Sequence, residues 1–79
     1  MTLDLLPVNQ DARITAVDWD ALAPEEGKRL RAMGIDAGTT VAIAHRGIFA
    51  GRDPIALSVG RMTVAVRRVH ARAMTVETL

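Results

Sequence analysis

The chain has 79 residues, no cysteine, ten basic and nine acidic side chains, and a formal net charge of +1. A chain of this length forms one domain, and it buries only roughly 60% of its unfolded surface, which leaves little room for a deep, dry catalytic cleft. Disulfide frameworks and thiolate metal sites are excluded, and so is the strongly lopsided charge typical of nucleic-acid binders.

The segment Met1–Gln10 carries Leu3, Leu5 and Leu6 before Pro7 and is expected to pack loosely across the domain. It lacks the charged start and apolar run of a signal peptide. No apolar run anywhere approaches the roughly 20 residues needed to span a bilayer, so any membrane role is expected to be borrowed from a partner.

Ala12–Trp19 reads as the first strand, with Arg13 and Thr15 on one side and Ile14 and Ala16 on the other. Val17 and Trp19 fall on the wrong parity, which predicts a bulge or the end of the strand. Trp19, the single tryptophan, is expected to pack at the mouth of the domain. Ala23 is a poor N-cap, and Asp20 is placed to cap an earlier turn.

The pattern GKRLRAMGIDAG, Gly27–Gly38, organises the rest. Pro24 stands where the first helical residue belongs, Glu25 and Glu26 follow, and Lys28, Arg29 and Arg31 come near the end. That order suits the helix dipole and the orphan backbone groups at each terminus. The helix is predicted over Pro24–Met33, with Leu30 and Met33 on one face. Gly34 supplies a left-handed stop sealed by Ile35, and Gly38 the positive φ of the following turn.

Gly38–Arg46 reads as the second strand, with Val41 and Ile43 inward. Gly47–Pro54 is a loop rich in turn residues. Its apolar Ile48 and Phe49 either fold back over the domain or form a contact patch. Ile55–Val59 alternates cleanly. Gly60 and Arg61 make a two-residue hairpin whose first position needs glycine. Met62–Arg67 returns, Arg68–Ala73 is long enough for one helical or 3₁₀ turn, and Met74–Glu77 closes the chain as a last strand. The expected architecture is mainly β: a small, partly open, five-stranded SH3-like barrel with one α-helix and a short 3₁₀ turn before the last strand.

No catalytic or cofactor constellation is legible. His45 and His70 have no ligating neighbours at metal-site spacing and read as exposed or strand-edge histidines. Asp18 and Asp20 are too few for a hard cation. Ser58 has no nearby base, and Gly27-Lys28 lacks the flanking residues of a phosphate-binding loop. The expectation is a chain that is not an enzyme and holds no cofactor and no metal. Charge is unevenly spread: Asp4, Asp11, Asp18, Asp20, Glu25 and Glu26 crowd the first third. Arg46, Arg52, Arg61, Arg67, Arg68 and Arg72 follow in the second half with only Asp53 among them. That face reads either as a solvated strand surface or as a docking face for an acidic partner.

Arg29-Leu30, Met33-Gly34-Ile35, Gly38, Asp53-Pro54-Ile55 and Ala65-Val66-Arg67 together resemble the ferrous iron transport protein A (FeoA) family. The resemblance runs from about Leu6 to Glu77. Departures are Ala37 where proline is common, Arg52 between Gly51 and Asp53, and Val66 in place of a frequent leucine. The resemblance implies an SH3-like barrel in the bacterial cytoplasm, peripheral at the inner membrane through its partner. It also implies a regulatory or assembly role exerted by docking on the membrane ferrous transporter FeoB, with no catalysis by the chain itself. Two contact faces are expected from exposure: Ile48, Phe49 and Arg52 with Arg46 beside them, and the helix face at Lys28 and Arg31. Leu30, Met33, Gly34, Ile35, Gly38, Pro54 and Gly60 are expected to serve structure. Competing readings are an interaction domain related to the C-terminal domain of iron-dependent repressors and a small RNA-binding barrel. The second has only Trp19 and Phe49 to offer as stacking platforms. Exposed strand edges leave dimers or trimers open.

Overall fold

The computed structural model describes residues 1–46 and 53–79. Five antiparallel strands form one sheet: β1 (Ala12–Val17), β2 (Thr40–Arg46), β3 (Ile55–Val59), β4 (Met62–Val66) and β5 (Met74–Thr78). Their order is β4-β3-β2-β1-β5, so β4 and β5 are the two edges of a curled sheet that is left open between them. Helix α1 (Pro24–Ala32) connects β1 to β2, and a single turn, α2 (Arg68–Ala71), connects β4 to β5.

Helix α1 forms where the charge order and Pro24 place it. Its end is a Schellman stop: the Ile35 N–H donates to Leu30 O at 3.0 Å and the Gly34 N–H to Arg31 O at 3.0 Å. Gly34 has φ +89°, a conformation costly for any residue with a Cβ. The Thr39 hydroxyl donates to Gly34 O at 2.8 Å and ties the stop to the start of β2. Met33 is the C-cap and packs half-buried against the core.

Among the described residues the core is wholly apolar. Leu3, Leu6, Ile14, Leu30, Ile35, Ile43, Ile55, Leu57, Val66 and Met74 are all fully buried, and among the described residues no polar or charged one is buried with them. Each such side chain contributes about 1.5–3 kcal/mol relative to exposure.

Three expectations are corrected. The N-terminal segment does not pack loosely. It forms a 3₁₀ turn over Leu3–Leu5, Leu3 and Leu6 enter the core, and Thr2 bridges to Thr75 while Val8 bridges to Ile43. The turn before β5 is α-helical rather than 3₁₀: the Ala71 N–H reaches Arg67 O at 3.0 Å and the Arg72 N–H reaches Arg68 O at 3.1 Å. Tighter bonds mark only its ends, from the His70 N–H to Arg67 O and from the Ala73 N–H to His70 O. Ala16 does not share the inward side of Ile14. The β1–β5 register shifts between Ile14 and Ala16, so Ala16 turns outward and Val17 inward, as a bulge requires. A second shift, between Ile43 and His45, bends β2 in the same way.

Candidate functional site

Lys28 and Arg31 lie on the exposed side of α1, one turn apart, as the helical spacing demands. They differ in how they are held. The Arg31 guanidinium sits 4.0 Å over the Trp19 ring centroid, a cation–π arrangement that fixes the head group. Trp19 is half-buried on a 3₁₀ turn (Trp19–Ala21) and rests against Gly27, with the position of a Gly27 Cβ 3.5 Å from its ring. No side chain caps that turn, whose N-cap is Asp18. Lys28 makes no ion pair among the described residues and is exposed.

Arg46 is not free in the same sense. It is half-buried, and its Nη2 donates to Leu6 O, which pins the end of β2 to the N-terminal segment. Part of the charge expected beside the loop therefore serves packing. Ile48, Phe49 and Arg52 lie outside the described residues.

Next to Lys28 and Arg31 the same helix carries an ionic cluster that periodicity did not single out. Glu26 Oε1 accepts from Arg29 Nε at 3.1 Å and also from Arg29 Nη2. His70 Nδ1, on α2, lies 3.4 Å from the same oxygen without forming a hydrogen bond. The Arg29 hydrogen bond holds the Glu26 carboxyl below its ordinary range, with the charges of Arg29, His70 and Arg67 adding to it. The same bond raises the Arg29 guanidinium. The cluster joins α1 to α2 across a sequence gap, and only its i,i+3 half, Glu26–Arg29, is legible locally.

Asp53 has a structural role that composition could not show. Its Oδ1 accepts the Arg68 N–H at 3.0 Å, so a residue two positions before β3 caps the first turn of α2. The Asp53–Pro54 peptide is cis. The Asp-Pro pair of the motif thus fastens one end of β3 to the connection between the two edge strands.

A shallow groove of about 560 Å³ runs between the end of β1 and α2. Val17, Ala21, Val69 and Ala73 give it an apolar floor, with Asp18 and Arg72 at the rim. Val69 is 59% exposed there. Arg72 is also engaged by Asp4 at 3.8 Å. Sequence reasoning passed over this groove, although an apolar residue on the outward side of a single turn was its signal. Among the described residues no group of three His, Cys, Asp or Glu is placed to hold a metal ion. Nor is any helix among them long and apolar enough to cross a membrane.

Comparison with known proteins agrees with this geometry. The FeoA domain family matches residues 1–78. The FeoA protein of Chlorobium tepidum is 28% identical with a TM-score of 0.85, the match covering 100% of this chain and 70% of that one. The FeoA of Stenotrophomonas maltophilia, solved in complex with zinc, is 29% identical with a TM-score of 0.77, covering 98% of this chain and 89% of that one. It is described as a procaryotic SH3 domain protein put forward as a ferrous iron transport activating factor. The iron(II) transport protein A of Clostridium thermocellum is 25% identical with a TM-score of 0.83, and here the chain spans 46% of the other's length. The manganese regulator SloR, at 14% identity and a TM-score of 0.77 over 34% of its length, shares the fold alone. The search of curated proteins gave no match. With residues 1–78 matched, its SH3-like sheet and its glycine-stopped helix, the chain belongs to the FeoA domain family.

Proposed function

We propose that this chain is a non-catalytic accessory of ferrous iron uptake that works in the cytoplasm by docking on the membrane ferrous transporter FeoB. The observation that carries the reading is the family match over residues 1–78, together with the S. maltophilia relative put forward as a ferrous iron transport activating factor. The surface fits a binding module: above an apolar core, α1 presents Arg31 preorganised by Trp19 with the exposed Lys28 beside it. Preorganised charge costs little entropy on docking. The loop residues Ile48, Phe49 and Arg52, with Arg46, form the second candidate face.

The test is capture of the tagged chain on gently solubilised membranes of its own organism, scored for the transporter by mass spectrometry. The intact chain is expected to recover it. Phe49→Asp tests the loop, and Lys28→Glu with Arg31→Glu tests the helix. Loss in one variant assigns the face, and failure of the intact chain to recover the transporter refutes the role.

A further inference from the structure

We propose that the outer edge of β4 is a docking site for an extended, acid-flanked segment of a protein partner, which adds to the sheet as a sixth strand. The proposal deepens the docking reading above and rests on it for the kind of partner, a protein. The pairs Val59–Met62, Ser58–Thr63, Leu57–Val64, Ala56–Ala65 and Ile55–Val66 set the β3–β4 ladder. A two-residue hairpin closes on a hydrogen-bonded pair, here Val59 with Met62, and bonded and non-bonded pairs then alternate. Leu57–Val64 and Ile55–Val66 are therefore bonded, and Thr63 and Ala65 turn their N–H and C=O groups away from β3. No hydrogen bond among the described residues uses these outward groups. Both residues are exposed.

The side chains say what fits. Thr63 and Ala65 share the solvent face by the strand's period of two, Arg61 in the hairpin turn and Arg67 just past the strand flank them, and all four are exposed. Neither Arg61 nor Arg67 makes an ion pair among the described residues. The bare peptide groups are thus bracketed by two cations six positions apart. On the opposite face Met62 is 49% exposed and Val64 half-buried, an apolar shelf that a neighbouring strand would extend.

A second copy is the poorer occupant. The antiparallel register that uses all the outward groups pairs Thr63 with Ala65 of the second copy. The same register sets Arg61 against Arg67 of the second copy at both ends. Like charges directly opposite destabilise a strand pair, and opposite charges stabilise it. A segment with carboxylates six positions apart and β-branched residues between them satisfies both the ladder and the two arginines, which is how extended peptides add to exposed sheet edges.

The probe is the blocked peptide Glu-Val-Thr-Val-Thr-Val-Glu, titrated into the isotope-labelled full chain and followed by amide shifts. Shifts centred on Thr63 and Ala65 are expected. A peptide with Lys at both ends is expected to bind about tenfold more weakly, the worth of two cross-strand charge pairs. Arg61→Glu with Arg67→Glu is expected to invert that preference. Ala65→Pro removes an outward N–H that the β3 ladder does not use, so it is expected to keep the rest of the spectrum and abolish binding. Absence of shifts at Thr63 and Ala65 with millimolar peptide overturns the proposal. So does sedimentation showing a dimer that Ala65→Pro dissolves, since a second copy then owns the edge. Capture separates this idea from the broader one. An Ala65→Pro chain that still recovers the transporter removes β4 as the docking site and leaves the accessory role standing. An intact chain that binds the peptide at β4 but recovers no transporter does the reverse.

Discussion

The two edges of the sheet are treated differently. At β5 the outer side is taken by the chain's own N-terminus. The Val76 N–H donates to Met1 O at 2.8 Å, Thr2 bridges to Thr75, and Leu3 and Leu6 anchor that cover in the core. At β4 no described residue covers the outward groups of Thr63 and Ala65. An uncovered edge is an aggregation liability unless short, charged or partnered. Here the strand has five residues and an arginine just beyond each end. The contrast teaches that one edge is closed by apolar burial and the other is guarded by charge, which an opposite charge can satisfy.

The largest expected effect breaks the cover on β5. Leu3→Ala removes a fully buried side chain and is expected to cost about 2–5 kcal/mol, read from urea unfolding. Deleting residues 1–6 should in addition leave both edges bare and raise self-association over that of the intact chain in sedimentation.

Next comes a proline pair on β4. Val64→Pro removes an N–H that the ladder assigns to β3 and is expected to cost about 1–3 kcal/mol for the orphaned partner. Ala65→Pro removes one facing out and should cost clearly less. Equal losses would mean that the inward and outward assignment is wrong.

Asp53→Ala removes the cap on α2, the connection between the two edges, and is expected to cost about 1 kcal/mol. Hydrogen exchange should quicken at Arg68 and its neighbours before it does in β2.

The smallest effect is on the ionic cluster that joins α1 to α2. The folded pKa of Glu26 lies below its unfolded value near 4.5, so its contribution is present above that value. It is lost as pH falls from there through the depressed folded pKa. Glu26→Gln should therefore narrow the stability gap between pH 7 and pH 3. For a pair at the surface the change is under about 1 kcal/mol. Exchange rates along β4 and β5 should not move.

Much of the fold was legible because its signals are local. The β3–β4 hairpin falls where the alternation and Gly60 place it, with Gly60 at φ +59°. The sequence reading of Trp19 as a packing residue matches its place against Gly27. Less of the candidate site was legible. Arg46 reads as a free cation, yet its guanidinium is committed to Leu6 O. Val69 and the groove beneath it depend on how α2 is set against β1.

By itself the sequence determined the strand alternation, the hairpin and the start and stop of α1. Charge order, Pro24 and a positive-φ glycine act within a few bonds of where they stand. Tertiary structure alone decided that Leu3 and Leu6 enter the core, that Asp53 caps a turn fifteen residues later, and that β2 carries a bulge like the one the parity of Val17 signalled in β1. It also decided which edge is covered. Those outcomes depend on pairing between distant segments, whose register follows from closing a common apolar core and is not encoded in any one stretch.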